Sequence, residues 1–471
     1  MTLYAGIDCG TQSTKVIIAD NRTARMRGEG SALTPMISES DGSREQEAVW
    51  WTDALETAFA QAIKNAPELT GGISAPRRFP ASSTVLYRSV MTVQYLRLPN
   101  CGVIPRPVRK ISGLLMHWAE NRPHLTAWVC CRRPAIPCQK LSLKQQHPEL
   151  WKQLRYVLLP HDYLNFWLTG QACAEYGDAS GTGLLNIRSR EWDQAAADLI
   201  DPEGRLWQAL PPLVRAEQII GTVRPEIAEK LGISPETACI GGGDNMMAAI
   251  GTGNIVGITT MSLRHLRYAV YLCRHVVGFA DDRRVLLLSN GWLPLICTMN
   301  VTSATTTVQS LLGMDIQAFN DALNSSLPVR AVLLCCRSLM VTVPQLPEAR
   351  ASLHNMDGSN LTPQNLSLAV VESATYGLRF GIDLFRQQGI TTSEIRLTGG
   401  GARSVKWRQI VAHIMAAPVV CVTNQEAAHW VQRFRLSGVT PSVQTAHRKH
   451  SWPLSATALC SWMTAAAHSG S

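Results

Sequence analysis

Three short apolar strands in this chain each run into a glycine-rich turn, and that recurrence constrains the fold more than any other feature. Leu3-Tyr4-Ala5-Gly6-Ile7-Asp8 leads into Cys9-Gly10-Thr11-Gln12-Ser13-Thr14. Pro235 to Ile240 delivers Gly241-Gly242-Gly243-Asp244-Asn245, with Met246 to Ile250 reading as the start of a helix. Glu394 to Leu397 delivers Thr398-Gly399-Gly400-Gly401-Ala402-Arg403-Ser404, followed by a helix around Trp407 to Met415. Strands that end in such turns specify an α/β chain with its ligands gathered at strand ends. Backbone N–H groups at these turns suit phosphate or another anion.

The acids beside the turns carry the chemistry. Asp8 closes an otherwise apolar strand, where an idle carboxylate would be costly to bury. It can hold Mg²⁺, often through water. The strand Lys15 to Asp20 makes a β-hairpin with the first, its turn offering N–H groups and hydroxyls. Asp244 can accept a proton from a bound hydroxyl, and the Asn245 amide can orient that hydroxyl. The plainer alternative is a ligand-free strand–helix turn with Asp244 as its N-cap.

A chain of 471 residues accommodates two large domains. It has no apolar run of membrane-spanning length, and Met1 to Gly10 lacks the basic start of a signal peptide. Thirteen cysteines without regular spacing make no disulfide framework, and the pairs at 130–131 and 335–336 lack zinc-site spacing. A reducing, cytoplasmic location is expected. Periodicity predicts helices over 45–64, 143–154 and 361–388, a strand over 156–159, a helix opening at Pro160 and a polar loop over 175–182.

The net charge of +9 raises the question of nucleic acid, but its distribution answers it. Segments 72–140, 264–288, 327–343 and 429–471 hold 22 Lys/Arg against three acids, leaving the rest of the chain at −10. They also hold eight of the 13 cysteines and lose all periodicity. Two kinds of sequence are interleaved.

The ordered set of the hairpin turn, Leu159-Pro160-His161-Asp162-Tyr163-Leu164, Gly177-Asp178-Ala179-Ser180-Gly181-Thr182, the Gly241–Asn245 turn and the Thr398–Ser404 turn resembles the FGGY carbohydrate kinases. The Asp-Asn pair at 244–245 points to members that phosphorylate D-xylulose. The resemblance implies an actin-like, ribonuclease-H-like fold of two α/β domains, 1–250 and 251–471, with ATP and sugar between them. It implies Asp244 as catalytic base, Asn245 as a sugar contact and Asp8 as a Mg²⁺-linked carboxylate. Gly10, Thr11, Gln12, Ser13 and Thr14 would hold the nucleotide phosphates, and Gly399, Gly400, Gly401 and Ala402 the adenosine. Partners implied are the sugar and a second copy in a homodimer, with neither nucleic acid nor membrane. Kinases of other ketopentoses or polyols, such as ribulose or fuculose, share this machinery. A catalytically dead sugar-binding relative would share it too.

The family's remaining motifs are absent, and they are absent where the four basic segments lie. Back-translated with suitable synonymous codons and read one base later, Arg264 to Tyr271 yields Gly-Thr-Ser-Gly-Thr-Leu-Tyr, the family's second phosphate turn. Read instead two bases later, Pro80 to Tyr87 yields Gly-Gln-Gln-His-Gly, and Leu98 to Ile104 Leu-Trp-Cys-Asp. Cys335 to Val341 yields Leu-Pro-Phe-Phe-Asn-Gly, and His429 to Gly438 Leu-Gly-Ala-Ala-Ile-Gln-Ala. The expectation is a coding sequence carrying several frameshifts, and a chain that in its printed form folds poorly and is inactive.

Overall fold

The computed structural model describes residues 3–10, 12–20, 26–38, 44–66, 84–89, 144, 148–215, 218–263, 267–273, 284–288, 291–298, 301–326, 333–336, 351–422 and 443–446. They fall into two compact units, one within Met1–Val256 and Leu272–Leu295, the other within Gly257–Tyr271, Ile296–Gln425 and Pro441–Ser471.

The first unit begins with an antiparallel meander of β1 (Leu3–Cys9), β2 (Ser13–Asp20) and β3 (Met26–Leu33). Helix α1 (Ala48–Lys64) follows, and Trp51, Leu55, Ala58, Phe59 and Ala62 form its buried stripe. Burying a side chain such as Leu55 or Phe59 completely stabilises the fold by roughly 1.5–3 kcal/mol. The helix lies directly on β3: a Cβ placed on Gly30 would stand 2.0 Å from the Ala58 carbonyl oxygen. No other residue type permits that approach. Strand β4 (Thr84–Ser89) comes next, then α2 (Pro160–Thr169) and the short α3 (Tyr176–Ala179). Edge strand β5 (Gly221–Thr222), α4 (Pro225–Leu231), β6 (Ala238–Gly243) and α5 (Asp244–Gly251) complete the unit's main frame.

The sheet order is β5-β6-β4-β1-β2-β3, with β4 parallel to both β1 and β6. Three strands in antiparallel succession, then parallel strands added beyond the first, is the ribonuclease-H-like order that the resemblance implied. One face is closed by α1, α2 and α4, whose Leu55, Phe59, Leu164, Leu168 and Ile227 meet Ile7, Val16 and Ile18.

In the second unit β7 (Ile258–Ser262), β9 (Glu394–Thr398) and β10 (Val419–Val422) run parallel. Strands β8 (Arg267–Tyr271) and β11 (Val443–Ala446) pair antiparallel at their flanks. Helix α6 (Pro363–Gln387) starts at Thr362, whose hydroxyl accepts from the Asn365 N–H at 3.2 Å, with Pro363 preset for the first turn. Its buried stripe includes Leu368, Val371, Leu378, Ile382 and Phe385. Arg379 and Arg386 both bind Asp383, and their guanidiniums also reach the Ile414 and Met415 carbonyls at the end of α7 (Val405–Met415). Those carbonyls have no partner within α7, so the arginines complete its C-terminus.

Several sequence expectations need correction. Residues 156–159 form no strand; Val157 donates to the Ala209 carbonyl at 2.9 Å. Residues 176–182 are helical rather than a loop, because the Glu175 side chain caps the turn. The segments without periodicity still contain β4, β8 and the strands Arg284–Leu288, Leu333–Cys336 and Val443–Ala446. Ladder pairing uses backbone groups, so a strand tolerates side chains that carry no repeating pattern.

Candidate active site

The register of the first sheet brings the two candidate acids to one edge. Asp8 and Gly242 both stand opposite Arg88 of the intervening strand β4. They lie two strands apart at the same height, a backbone separation of about 10 Å at ordinary strand spacing. Asp8 is buried, 5% exposed. Beyond it the turn is tight, with the Gly10 N–H donating to the Ser13 carbonyl at 2.9 Å and Thr34 donating to the Gln12 carbonyl at 2.9 Å. Gln12 is exposed and Ser13 half-buried, while Thr11 lies outside the described residues. Thr14 is fully buried and turns its hydroxyl to Cys9 Sγ at 3.7 Å, so only its backbone faces the turn's ladder. Burial pushes the Cys9 thiol up to about 12, which keeps it neutral and unreactive.

The second turn is shaped differently from its sequence reading. Gly241, Gly242 and Gly243 are the last residues of β6 itself, and α5 opens at Asp244 with nothing between. Asn245 follows, half-buried. The space the glycines leave is filled by the protein. A Cβ on Gly242 would come within 3.0 Å of Glu175 Oε2, and one on Gly243 within 2.8 Å of Asp178 Oδ1 and 2.3 Å of Met246 Cε.

Those carboxylates belong to a cluster that sequence reasoning placed among motifs but not in the site. His161 is wholly buried, its Nε2 2.8 Å from Asp162 Oδ1 and its Nδ1 3.0 Å from Asp178 Oδ2. Asp162 also accepts from the backbone of Leu159 and Glu175, each at 3.3 Å. Glu175 accepts from Gly177 at 2.8 Å and Asp178 at 3.2 Å. Burial works against an imidazolium, but the Asp162 and Asp178 contacts outweigh it and hold His161 well above the ordinary histidine range. Burial raises Asp162, and pushes Glu175 up to about 7 against its two backbone hydrogen bonds. The available signal was three acids and a histidine in two stretches, one read as opening a helix and the other as a polar loop.

In the second unit Gly399 leaves β9 at φ +92°, a conformation that favours glycine. Gly400 to Arg403 then form a single 3₁₀ turn. The Gly401 N–H donates to Leu263 at 3.1 Å, and Leu263 donates to Thr398 at 2.8 Å, so the turn is fastened to the end of β7. Gly401 packs on Leu263 and Trp407, Ala402 is buried, and Gly400 is exposed with open space where a side chain would be. Residues 264–266, where a second phosphate turn is expected, lie outside the described residues.

Models of the FGGY family of carbohydrate kinases match the chain, the N-terminal domain over residues 130–251 and the C-terminal domain over residues 247–430. A xylulose kinase of Haemophilus influenzae is 38% identical over 90% of this chain and 88% of its own length. The chain belongs to the FGGY family of carbohydrate kinases. A xylulose kinase of Streptomyces coelicolor is 31% identical over 88% of this chain and 84% of its own. The solved xylulose kinase of Rhodospirillum rubrum shares the fold at a TM-score of 0.80, with 18% identity, covering 99% of each chain. The FGGY match to 130–251 includes the buried cluster and Asp244, and the match to 247–430 includes the Gly399 turn. Among the described residues of this FGGY chain no helix is long and apolar enough to cross a membrane, and no group of three or more His, Cys, Asp or Glu side chains could hold a metal.

Proposed function

We propose that this FGGY kinase transfers the γ-phosphoryl group of ATP to D-xylulose, giving D-xylulose 5-phosphate and ADP, in the cytoplasm. The observation that carries the reading is the sheet register that sets Asp8 and the Gly242–Asp244 strand end at the same edge. The named xylulose kinases among the relatives support the choice of sugar.

Asp244 accepts the proton of the sugar's terminal hydroxyl as its oxygen attacks the γ-phosphorus, and Asn245 orients that hydroxyl. The N–H groups and hydroxyls between Gly10 and Thr14 neutralise phosphate charge. Gly399 to Ala402 take the adenosine, whose flat face suits a turn exposed at Gly400 with no side chain in the way. A divalent ion fits Asp8, a buried carboxylate at a strand end, because Mg²⁺ uses one or two carboxylates with water and substrate phosphates. Bound Mg²⁺ would supply charge neutralisation to the transferring phosphoryl group.

A sugar panel run on the frame-restored protein with coupled detection of ADP tests the reading. D-xylulose is expected to give the highest kcat/KM among D-xylulose, D-ribulose, L-fuculose and glycerol. A higher value for any other sugar overturns the assignment.

A further inference from the structure

Four ionisable side chains, His161 and Asp162 of α2, Glu175, and Asp178 of α3, are gathered below the glycine end of β6, all of them buried. They are costly to desolvate, and apolar residues of the same volume would hold α2, α3 and β6 together at less expense. Within the cluster the His161 ring lies 2.8 Å from Asp162 and 3.0 Å from Asp178, while Asp162 and Glu175 accept from backbone N–H groups. Two of the carboxylates also meet the strand end. Glu175 Oε2 stands 3.0 Å from where a Cβ on Gly242 would begin and Asp178 Oδ1 2.8 Å from one on Gly243, with the Met247 and Met246 methyls nearer still at 2.8 and 2.3 Å. Each carboxylate is itself fixed: Asp178 by His161, and Glu175 by the N–H groups of Gly177 and Asp178. The next residue along the chain after Gly243 is Asp244.

We propose that His161, Asp162, Glu175 and Asp178 are positioning residues for Asp244, a rigid ionic seat that sets where β6 ends and so where the reacting carboxylate stands. The proposal rests on the reading of Asp244 as the base. It accounts for two features of the turn together: the glycines at 242 and 243, and the absence of any linker between β6 and α5. Asp162 ties the parts of the seat to each other, since it contacts His161 and also accepts from the Glu175 backbone.

The test uses the full chain with its reading frame restored, carrying His161→Gln, Asp178→Asn and, from the strand's side, Gly243→Ala, beside Asp244→Asn. Steady-state turnover with D-xylulose and MgATP is measured together with hydrogen–deuterium exchange of the Ala238–Gly251 peptide. The seat variants are expected to lower kcat about 10- to 100-fold, the scale of a small misplacement of a reacting group, while KM for both substrates stays within about twofold. Exchange in Ala238–Gly251 should rise about tenfold or more, with the Pro363–Gln387 peptide unchanged. Parent kcat and parent exchange in all three variants overturn the proposal. So does faster exchange throughout the chain with kcat and KM altered together, which marks a merely structural role. Parent turnover in Asp244→Asn instead removes the base assignment, a result the exchange data do not affect.

Discussion

At the residue scale the two glycine turns make opposite use of the missing side chain. Gly243 is hemmed in by Asp178 and Met246, so an added methyl meets an anchored carboxylate. Gly243→Ala is expected to cost about 1–3 kcal/mol in a denaturant melt, the usual range for overpacking. Gly400 has nothing within 4 Å of its Cβ position and no positive φ, and Gly400→Ala should change stability by less than about 0.5 kcal/mol. A substitution there should instead show in the KM for ATP if the adenosine lies against it. Asp244→Ala is expected to lower kcat at least about 100-fold while ATP binding, followed by calorimetry, stays near the parent value.

At the scale of elements, the buried cluster links stability to pH. Glu175 titrates at about 7 in the fold against an ordinary 4.5, so the folded chain holds an extra proton between those values. Its contribution is therefore full below about 4.5 and lost as pH rises through about 7. Asp162 is raised in the same sense by burial. For His161 the contribution is complete below the ordinary imidazole value of 6.5 and lost only as pH climbs through its higher folded value. All three signs agree. The melting temperature is expected to fall between about pH 5 and pH 8, and Glu175→Gln should flatten that slope. A melting temperature that rises across the same range would contradict the assignment. Helix α1 offers a second test, free of charge effects. Gly30→Ala places a methyl 2.0 Å from the Ala58 carbonyl oxygen and must push α1 off β3, which a calorimetric melt would register as a clear loss.

At the scale of the whole molecule, the family matches leave residues 1–129 and 431–471 outside them, and two of the four basic segments lie largely there. Resequencing the gene is expected to find single-base shifts bounding those segments, and the frame-restored protein to give more soluble product and higher turnover than the printed chain. An unbroken frame encoding the chain as printed would remove the sequencing-error account.

The sequence by itself determined the three strand ends, the helices α1, α2, α6 and α7, and the identity of the acids at the edge, because apolar periodicity and glycine placement are local properties. Local information also misled it. It read 175–182 as a loop, since the cap that makes it helical is the side chain of Glu175 folding back on Gly177 and Asp178. Only the tertiary structure decided that Asp8 and Gly242 share one height, which depends on β4 lying between them in register. It alone showed that His161, Asp178 and Gly243 meet although they are far apart in the chain. Burial creates that contact, and it raises the neighbouring carboxyls Asp162 and Glu175. Neither can be read from residue order, because both depend on which surfaces the fold removes from water.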